Sequence, residues 1–171
     1  MKKYQTIYAD PPWNEKGGGK IKRGADKHYS LMKTEDIKAL NVEFITDINA
    51  HLYLWVTNNY LKDGLSVMSA WGFRYITNLV WVKKSFGLGQ YFRGQHEILL
   101  FGVKGRLLSQ AKPRNVPTVI QGDKRKHSKK PEITYEYIER TSPGPRIELF
   151  SREKRKGWDV WGNEVESDID L

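Results

Sequence analysis

The sequence predicts an α/β fold with a largely parallel sheet, on three observations. Strand-like and helix-like segments alternate along the chain, the stretch His51 to Val56 is apolar almost without interruption, and the first strand-like segment ends abruptly at two prolines. Alternation favours strands joined by helical crossovers, which lie parallel and are covered on both faces. In such sheets ligands bind beyond the carboxyl ends of the strands, so the residues just after each strand are where chemistry is expected.

Tyr4 to Ala9 carries β-favouring Tyr4, Thr6, Ile7 and Tyr8, and Asp10-Pro11-Pro12 ends it, because proline offers no ladder donor. Asn14 to Gly24 is rich in glycine and lysine without periodicity, and reads as a loop beside that turn. Thr34, followed by Glu35 and Asp36, starts a short helix to about Leu40. His51 to Val56 is an interior strand. Leu61, Leu65, Met68 and Trp71 recur at helical spacing after Asn58-Asn59, and Gly72 stops that helix. Tyr75 to Val82 and Glu97 to Val103 are two further strands, joined by a long connection with Gly87, Gly89 and Gly94. Val116 to Ile120 offers a short strand within the polar stretch Lys104 to Lys130. Pro131 opens a helix to about Arg140, Ser142-Pro143-Gly144-Pro145 turns the chain, and Arg146 to Phe150 is a final strand. Tryptophans 55, 71 and 81 are expected in the core.

These elements are read as a single domain over 1–171, with mobile site loops at 14–28 and 84–96, a basic linker or target-contacting segment at 104–130, and an acidic tail at 163–171. The chain has 171 residues, 39% hydrophobic and 29% charged, which suits a globular enzyme with one core. No apolar run approaches membrane-spanning length and no signal peptide follows Met1-Lys2-Lys3, so a cytoplasmic protein without membrane contact is expected. Lysine and arginine exceed the acids by nine, which favours a polyanionic partner through phosphate neutralisation. The absence of cysteine excludes thiolate zinc sites and cysteine nucleophiles, and the four histidines are too scattered for a metal site.

Asp10-Pro11-Pro12-Trp13, an acid and two prolines followed by an aromatic directly after a strand, is the context found in amino-group methyltransferases. An adenine amino nitrogen is a poor nucleophile, because its lone pair is delocalised into the ring. The Asp10 carboxylate and the Pro11 carbonyl are both acceptors, able to hold the two amino hydrogens and aim a lone pair at a methyl donor. Trp13 offers a flat face for a base that has left its stack. Transfer is then direct, with no covalent enzyme intermediate and no metal, and positioning is the main catalytic contribution.

Tyr8-Ala9-Asp10-Pro11-Pro12-Trp13, Leu54-Trp55-Val56, Trp81-Val82-Lys83, Gly102-Val103-Lys104-Gly105, Ser142-Pro143-Gly144 and Glu148-Leu149-Phe150-Ser151-Arg152 stand in an order that covers the chain from about Tyr8 to Glu164. Together they resemble the family that contains the catalytic subunit of eukaryotic mRNA N6-adenosine methyltransferase, and are most similar to its compact bacterial and phage members. The resemblance implies a Rossmann-like S-adenosylmethionine-dependent methyltransferase fold: a mixed, mostly parallel sheet with helices on both faces and a permuted motif order. It implies that Asp10, Gln95, Glu148, Leu149, Phe150 and Arg152 line the site of S-adenosyl-L-methionine, and that Asn163 and Glu164 reach its ribose. It places Tyr29, Lys83, Arg93 and His96 with Trp13 on the substrate side. It also allows a homodimer, or a heterodimer with a related subunit. Larger relatives carry a segment before the catalytic strand that helps hold the cofactor adenine, whereas nine residues precede Asp10 here, so the adenine contacts stay unassigned. Lys154-Arg155 replaces the polar pair that follows the arginine in the mRNA enzyme.

The expected activity is methyl transfer to the N6 amino group of adenine in DNA. The alternatives are an RNA N6-adenosine methyltransferase and a non-catalytic nucleic-acid-binding partner subunit, against which the intact Asp10 argues. Transfer to a protein glutamine amide shares the Pro-Pro turn but expects asparagine and tyrosine around it. The motif does not distinguish deoxyribose from ribose, since that depends on contacts to the 2′-hydroxyl. The basic runs Lys124 to Lys130 and Arg152 to Lys156 are expected to contact phosphates.

Overall fold

Side chains alternate across a strand every two residues, and this sorts the apolar residues of the chain onto two sheet faces. The computed structural model describes residues 2–14, 31–87, 89, 91–106, 115–121 and 129–171. In chain order its elements are β1 (Tyr4–Ala9), α1 (Thr34–Lys38), α2 (Val42–Ile45), β2 (Thr46–Val56), a 3-10 turn (Asn58–Tyr60), α3 (Leu61–Ala70), β3 (Arg74–Val82), β4 (His96–Lys104), β5 (Val119–Gln121), α4 (Ile133–Thr141), β6 (Arg146–Leu149) and β7 (Asp159–Trp161).

The strands form one seven-stranded sheet in the order β5-β3-β4-β2-β1-β6-β7. β1 is parallel to β2 and β6, β6 to β7, and β3 to β5, whereas β4 is antiparallel to both β2 and β3. Every strand except β4 therefore points the same way, and the start of β4 shares an edge with the ends of the others. The Rossmann-like arrangement, mixed but mostly parallel, is as expected.

One face carries Ile7, Leu52, Leu54, Val56, Ile147 and Leu149, packed against Ile37 of α1, Val42 of α2 and Val67 and Met68 of α3. The other carries Tyr8, Tyr53, Trp55, Trp81 and Leu99, packed against Tyr135 and Ile138 of α4. Helices thus cover both faces. Trp55, Trp71 and Trp81 are buried, as their apolar context suggested.

The structure differs from the sequence reading in several places. Arg146–Leu149 is not the last strand, because Asp159–Trp161 adds β7 in parallel beside it. The inward face of α3 is partly as expected: Met68 and Trp71 are buried, but Leu61 and Leu65 are 38% and 39% exposed, and Gly64 and Val67 are buried in their stead. Gly64 lies so close to β2 that a Cβ would stand 2.3 Å from Val56 Cγ1, so the helix seats on the sheet through a residue with no side chain. The acidic tail docks: Asp168 accepts from the Val160 N–H at 2.9 Å, and Ile169 and Leu171 pack on the core. Of the loops expected at 14–28 and within 104–130, most residues lie outside those described.

Candidate active site

The turn after β1 is held from several sides. The Trp13 N–H donates to the Pro11 carbonyl at 2.9 Å, and the Met32 N–H to the Pro12 carbonyl at 2.8 Å. The Trp13 indole N–H donates to the Trp55 carbonyl at 2.9 Å, and the Tyr60 hydroxyl to the Asn14 carbonyl at 2.6 Å. The Trp13 and Tyr60 rings lie 5.3 Å apart with planes inclined by 31°. These contacts correct one expectation: the Trp13 ring is 6% exposed and belongs to the core, so it anchors the turn and offers no open face for a base. Among the described residues, the Pro11 carbonyl has one lone pair engaged, by Trp13, and a second remaining.

Asp10 is two residues beyond Tyr8 and follows it on the α4 side of the sheet. Its Oδ2 lies 2.9 Å from Lys130 Nζ, and that ammonium lies 3.1 Å from Glu97 Oε2. Lys83 pairs with Glu97 in turn. The result is a line of alternating charge, Asp10, Lys130, Glu97, Lys83, along the carboxyl edge from β1 to β3. Trp55 and Trp81 floor it, with Lys130 5.4 Å from the first ring centroid and Lys83 4.9 Å from the second. Burial alone would lower Lys130, but Asp10 and Glu97 outweigh it and hold the ammonium above its ordinary pKa. Burial likewise works to raise Glu97, and the two lysines hold it below the ordinary value.

The reversal of β4 is what brings Glu97 here. Glu97 pairs in register with Trp81 and so shares a face with Lys83, two residues on. Sequence reading missed both Glu97 and Lys130. Lys130 read as the end of a basic run facing phosphate, whereas its side chain is 14% exposed and committed to two carboxylates. Pro131 directly after it, two residues ahead of α4, was the available signal that the chain returns to the sheet there.

On the other side of Asp10 stands β6. Glu148 pairs with Tyr8 in register and accepts a hydrogen bond from the Tyr135 hydroxyl at 2.9 Å. Burial pushes its carboxyl up to about 7, opposed by hydrogen bonds from Tyr135 and Ser151 and reinforced by the charge of Asp10. Leu149 is fully buried in the core, so its side chain cannot line a cofactor site as expected, and only its main chain is available. Phe150 turns the chain at φ 64°, a left-handed conformation that a non-glycine residue adopts at a cost, and its ring meets Trp161 at 5.4 Å. The Ser151 N–H donates to the Trp161 carbonyl at 3.0 Å, and a Cβ at Gly162 would stand 2.2 Å from the Ser151 carbonyl oxygen. The ends of β6 and β7 are therefore in close main-chain contact.

The remaining expected residues spread along this edge. Arg152 Nε lies 3.8 Å from Glu164 Oε1, and Asn163 is exposed beside that pair. Lys154 is tied to Asp168 at 2.9 Å, and Arg155 pairs with Glu132 over the Tyr135 ring, 3.7 Å from its centroid. The second basic run is thus partly consumed by internal pairs, contrary to a purely phosphate-facing role. Gln95 is half-buried, and its carbonyl accepts from the Lys83 N–H at 2.8 Å. Arg93 donates to the Gly87 carbonyl at 2.7 Å, and His96 is exposed at the start of β4. Tyr29 lies outside the described residues.

The edge can hold a small zwitterion, since it presents carboxylates and cations within one line, and can direct two acceptors at an amino group. The family pattern MT-A70 matches residues 4–164. The chain is 32% identical over 185 residues to the Type II methyltransferase M.MunI of Mycoplasma sp, covering 96% of this chain and 78% of that protein. It is 30% identical to a putative N(6)-adenosine-methyltransferase MT-A70-like protein of Medicago truncatula and 27% identical to the N(6)-adenosine-methyltransferase catalytic subunit METTL3 of Homo sapiens. It covers 26% and 28% of those two proteins while matching 95% and 96% of its own length. It therefore spans most of the bacterial relative and about a quarter of the length of these eukaryotic ones. Among the described residues, no helix is long and apolar enough to cross a membrane.

Proposed function

The chain belongs to the MT-A70 family, and from that premise we propose that it transfers the methyl group of S-adenosylmethionine to the N6 amino group of adenine in DNA. The observation that carries the reading is Asp10. A carboxylate stands at the end of a central strand beside a proline-fixed carbonyl, with Lys130 2.9 Å away directing it.

The residues of the edge suit the cofactor by their chemistry. Its amino-acid part needs both an anion and a cation, which Asp10, Glu148 and Arg152 offer. Its ribose needs polar acceptors and donors, which Asn163 and Glu164 offer, and Phe150 supplies an apolar wall, with Gln95 at the start of β4 as a further polar group. When bound, the cofactor supplies an electrophilic methyl group on a sulfonium.

Asp10 accepts one hydrogen of the target amino group, and the second lone pair of the Pro11 carbonyl accepts the other, which turns the nitrogen lone pair out of the ring's plane of delocalisation. Once the nitrogen has gained its methyl group it must lose a proton, and Asp10 is the acceptor already bonded to it. Lys130 and Glu97 fix the carboxylate's orientation, so little reorganisation is needed as charge develops. Trp13, buried behind the turn, keeps the two acceptors in register. Arg93 and His96 are the substrate-side groups of the β3–β4 connection.

DNA is preferred because the chain matches most of a compact bacterial methyltransferase. RNA is the second reading, favoured by the relatives named N(6)-adenosine-methyltransferases. Incubation with labelled S-adenosylmethionine and matched single- and double-stranded DNA and RNA, followed by mass spectrometry of the nucleosides, tests both. The expected product is N6-methyldeoxyadenosine, absent with Asp10→Ala although that variant remains folded by circular dichroism. Full activity of that variant would sink the mechanism, and product confined to RNA would select the second reading.

A further inference from the structure

The connection between β3 and β4 leaves the same edge of the sheet as Asp10 and carries two neighbouring aromatic rings almost wholly in water. Tyr91 is 93% exposed and Phe92 90%. Single exposed apolar residues are ordinary, but two adjacent large rings on a tethered turn beside a reaction site are not. The tether is specific. The Lys83 N–H donates to the Gln95 carbonyl at 2.8 Å and the Gly87 N–H to the Gly94 carbonyl at 2.6 Å, closing the base of the loop. Arg93 Nε bonds the Gly87 carbonyl at 2.7 Å. Gly89 passes so close to the Phe92 carbonyl oxygen that a Cβ would stand 1.8 Å from it, so the turn closes only with glycine there. The rings are therefore presented by a turn held at several points.

We propose that Tyr91 and Phe92 form a stacking platform for the bases of the nucleic-acid strand that carries the target adenine, a role that rests on the nucleic-acid reading of the active site. Charge decides the occupant. Arg93 adjoins the pair and Lys84 stands earlier in the same connection, both exposed, and the whole chain carries a net charge of +9. An apolar protein partner gains nothing from cations around its contact, whereas a strand of bases joined by phosphates matches both features at once: π-faces for the rings, anions for the flanks. Stacking beside the target also stabilises a strand whose adenine has left its stack, which the chemistry at Asp10 requires.

The test separates bases from phosphates. Binding of a short labelled oligothymidylate, which contains no adenine and cannot be methylated, is compared by fluorescence anisotropy with an abasic oligomer of equal length and charge. The wild-type chain is expected to bind the oligothymidylate roughly 10-fold or more tightly than the abasic strand. Tyr91→Ala/Phe92→Ala loses that preference while keeping its abasic affinity and salt dependence, and Tyr91→Phe/Phe92→Tyr retains it. Equal binding of both oligomers by the wild-type chain, or equal weakening of both by the alanine pair, overturns the platform. Methyl transfer to an adenine-containing strand is measured alongside. Transfer without a base preference leaves the activity standing and the platform refuted; a base preference without transfer does the reverse.

Discussion

Replacing Lys130 with methionine removes the cation between two carboxylates and keeps most of the aliphatic stem. Losing one partner of a fully buried ion pair costs about 3–5 kcal/mol. Here Asp10 is 30% exposed and can draw on water, and Glu97, at 16%, keeps Lys83, so the cost falls below that range. We expect a loss of about 2 kcal/mol, which for a chain of this size lowers Tm by roughly 4–8 °C. The sign with pH follows from Glu97, whose carboxyl burial works to raise and Lys130 and Lys83 hold below its ordinary value. A carboxylate depressed in the folded chain adds stability that is present above its unfolded pKa and lost as pH falls through the folded one. The variant's deficit is therefore full near neutrality and closes on acidification. Thermal unfolding of Lys130→Met, Glu97→Gln and the double variant gives the coupling, expected at about 1 kcal/mol or more. A coupling indistinguishable from zero, or a deficit that does not change with pH, refutes the charged line at the carboxyl edge.

Three further outcomes follow from packing and burial. Gly64→Ala places a Cβ 2.3 Å from Val56 Cγ1, and the overpacking, about 1–3 kcal/mol, outweighs the helix-propensity gain of about 1 kcal/mol, so the urea midpoint falls. His51 is buried with Nδ1 2.7 Å from Ser142 Oγ, and burial lowers its pKa. The unfolded chain takes up that proton first as pH falls through the ordinary histidine value, so stability drops there. His51→Gln flattens the slope of urea midpoint against pH, and an unaltered slope would mean another group is responsible. Glu148 has the opposite sign from Glu97. Its folded carboxyl sits at about 7 against an ordinary 4.5, so its cost to stability grows as pH rises between those values and persists above them. Glu148→Gln should accordingly raise Tm at neutral and alkaline pH and lose that advantage in acid, while a Tm unchanged throughout would show Glu148 to be hydrated.

The parts of this fold that were legible in the sequence are those that chain chemistry punctuates. Two prolines ended β1 at Asp10, and the continuous apolar run marked β2 as interior. What was missed has physical reasons. β7 spans only Asp159–Trp161, too short to show alternation between a basic run and an acidic tail. On α3, Met68 and Trp71 face inward as the periodicity predicts, while Leu61 and Leu65 do not, because periodicity counts large side chains and Gly64 seats the helix by having none. Trp13 was read as a wall for a base because its position in the motif says nothing of Tyr60 or of the Trp55 carbonyl that receives its indole N–H. Lys130 was hidden by its neighbours: composition assigns a lysine in a basic run to solvent, and only its return to the sheet ahead of α4 makes it internal.

The reversal of β4 explains why these pieces form one site. Had β4 run with the other strands, the connection from β3 would have crossed to the opposite edge, and Gln95, His96 and Glu97 would have stood a strand's length away from Asp10. Running antiparallel, β4 starts where β1, β2, β3 and β6 end. The acid at its second residue then meets the lysine that also holds Asp10, while the connection that precedes it leaves from the same edge. The line of four charges has no net charge of its own, with two acids and two lysines. A neutral amino group can therefore approach Asp10 without displacing an unbalanced field, and Arg93 lies outside the line. The strand direction thus decides that Lys83 and Lys130 engage carboxylates at this edge and do not face solvent as a basic run would.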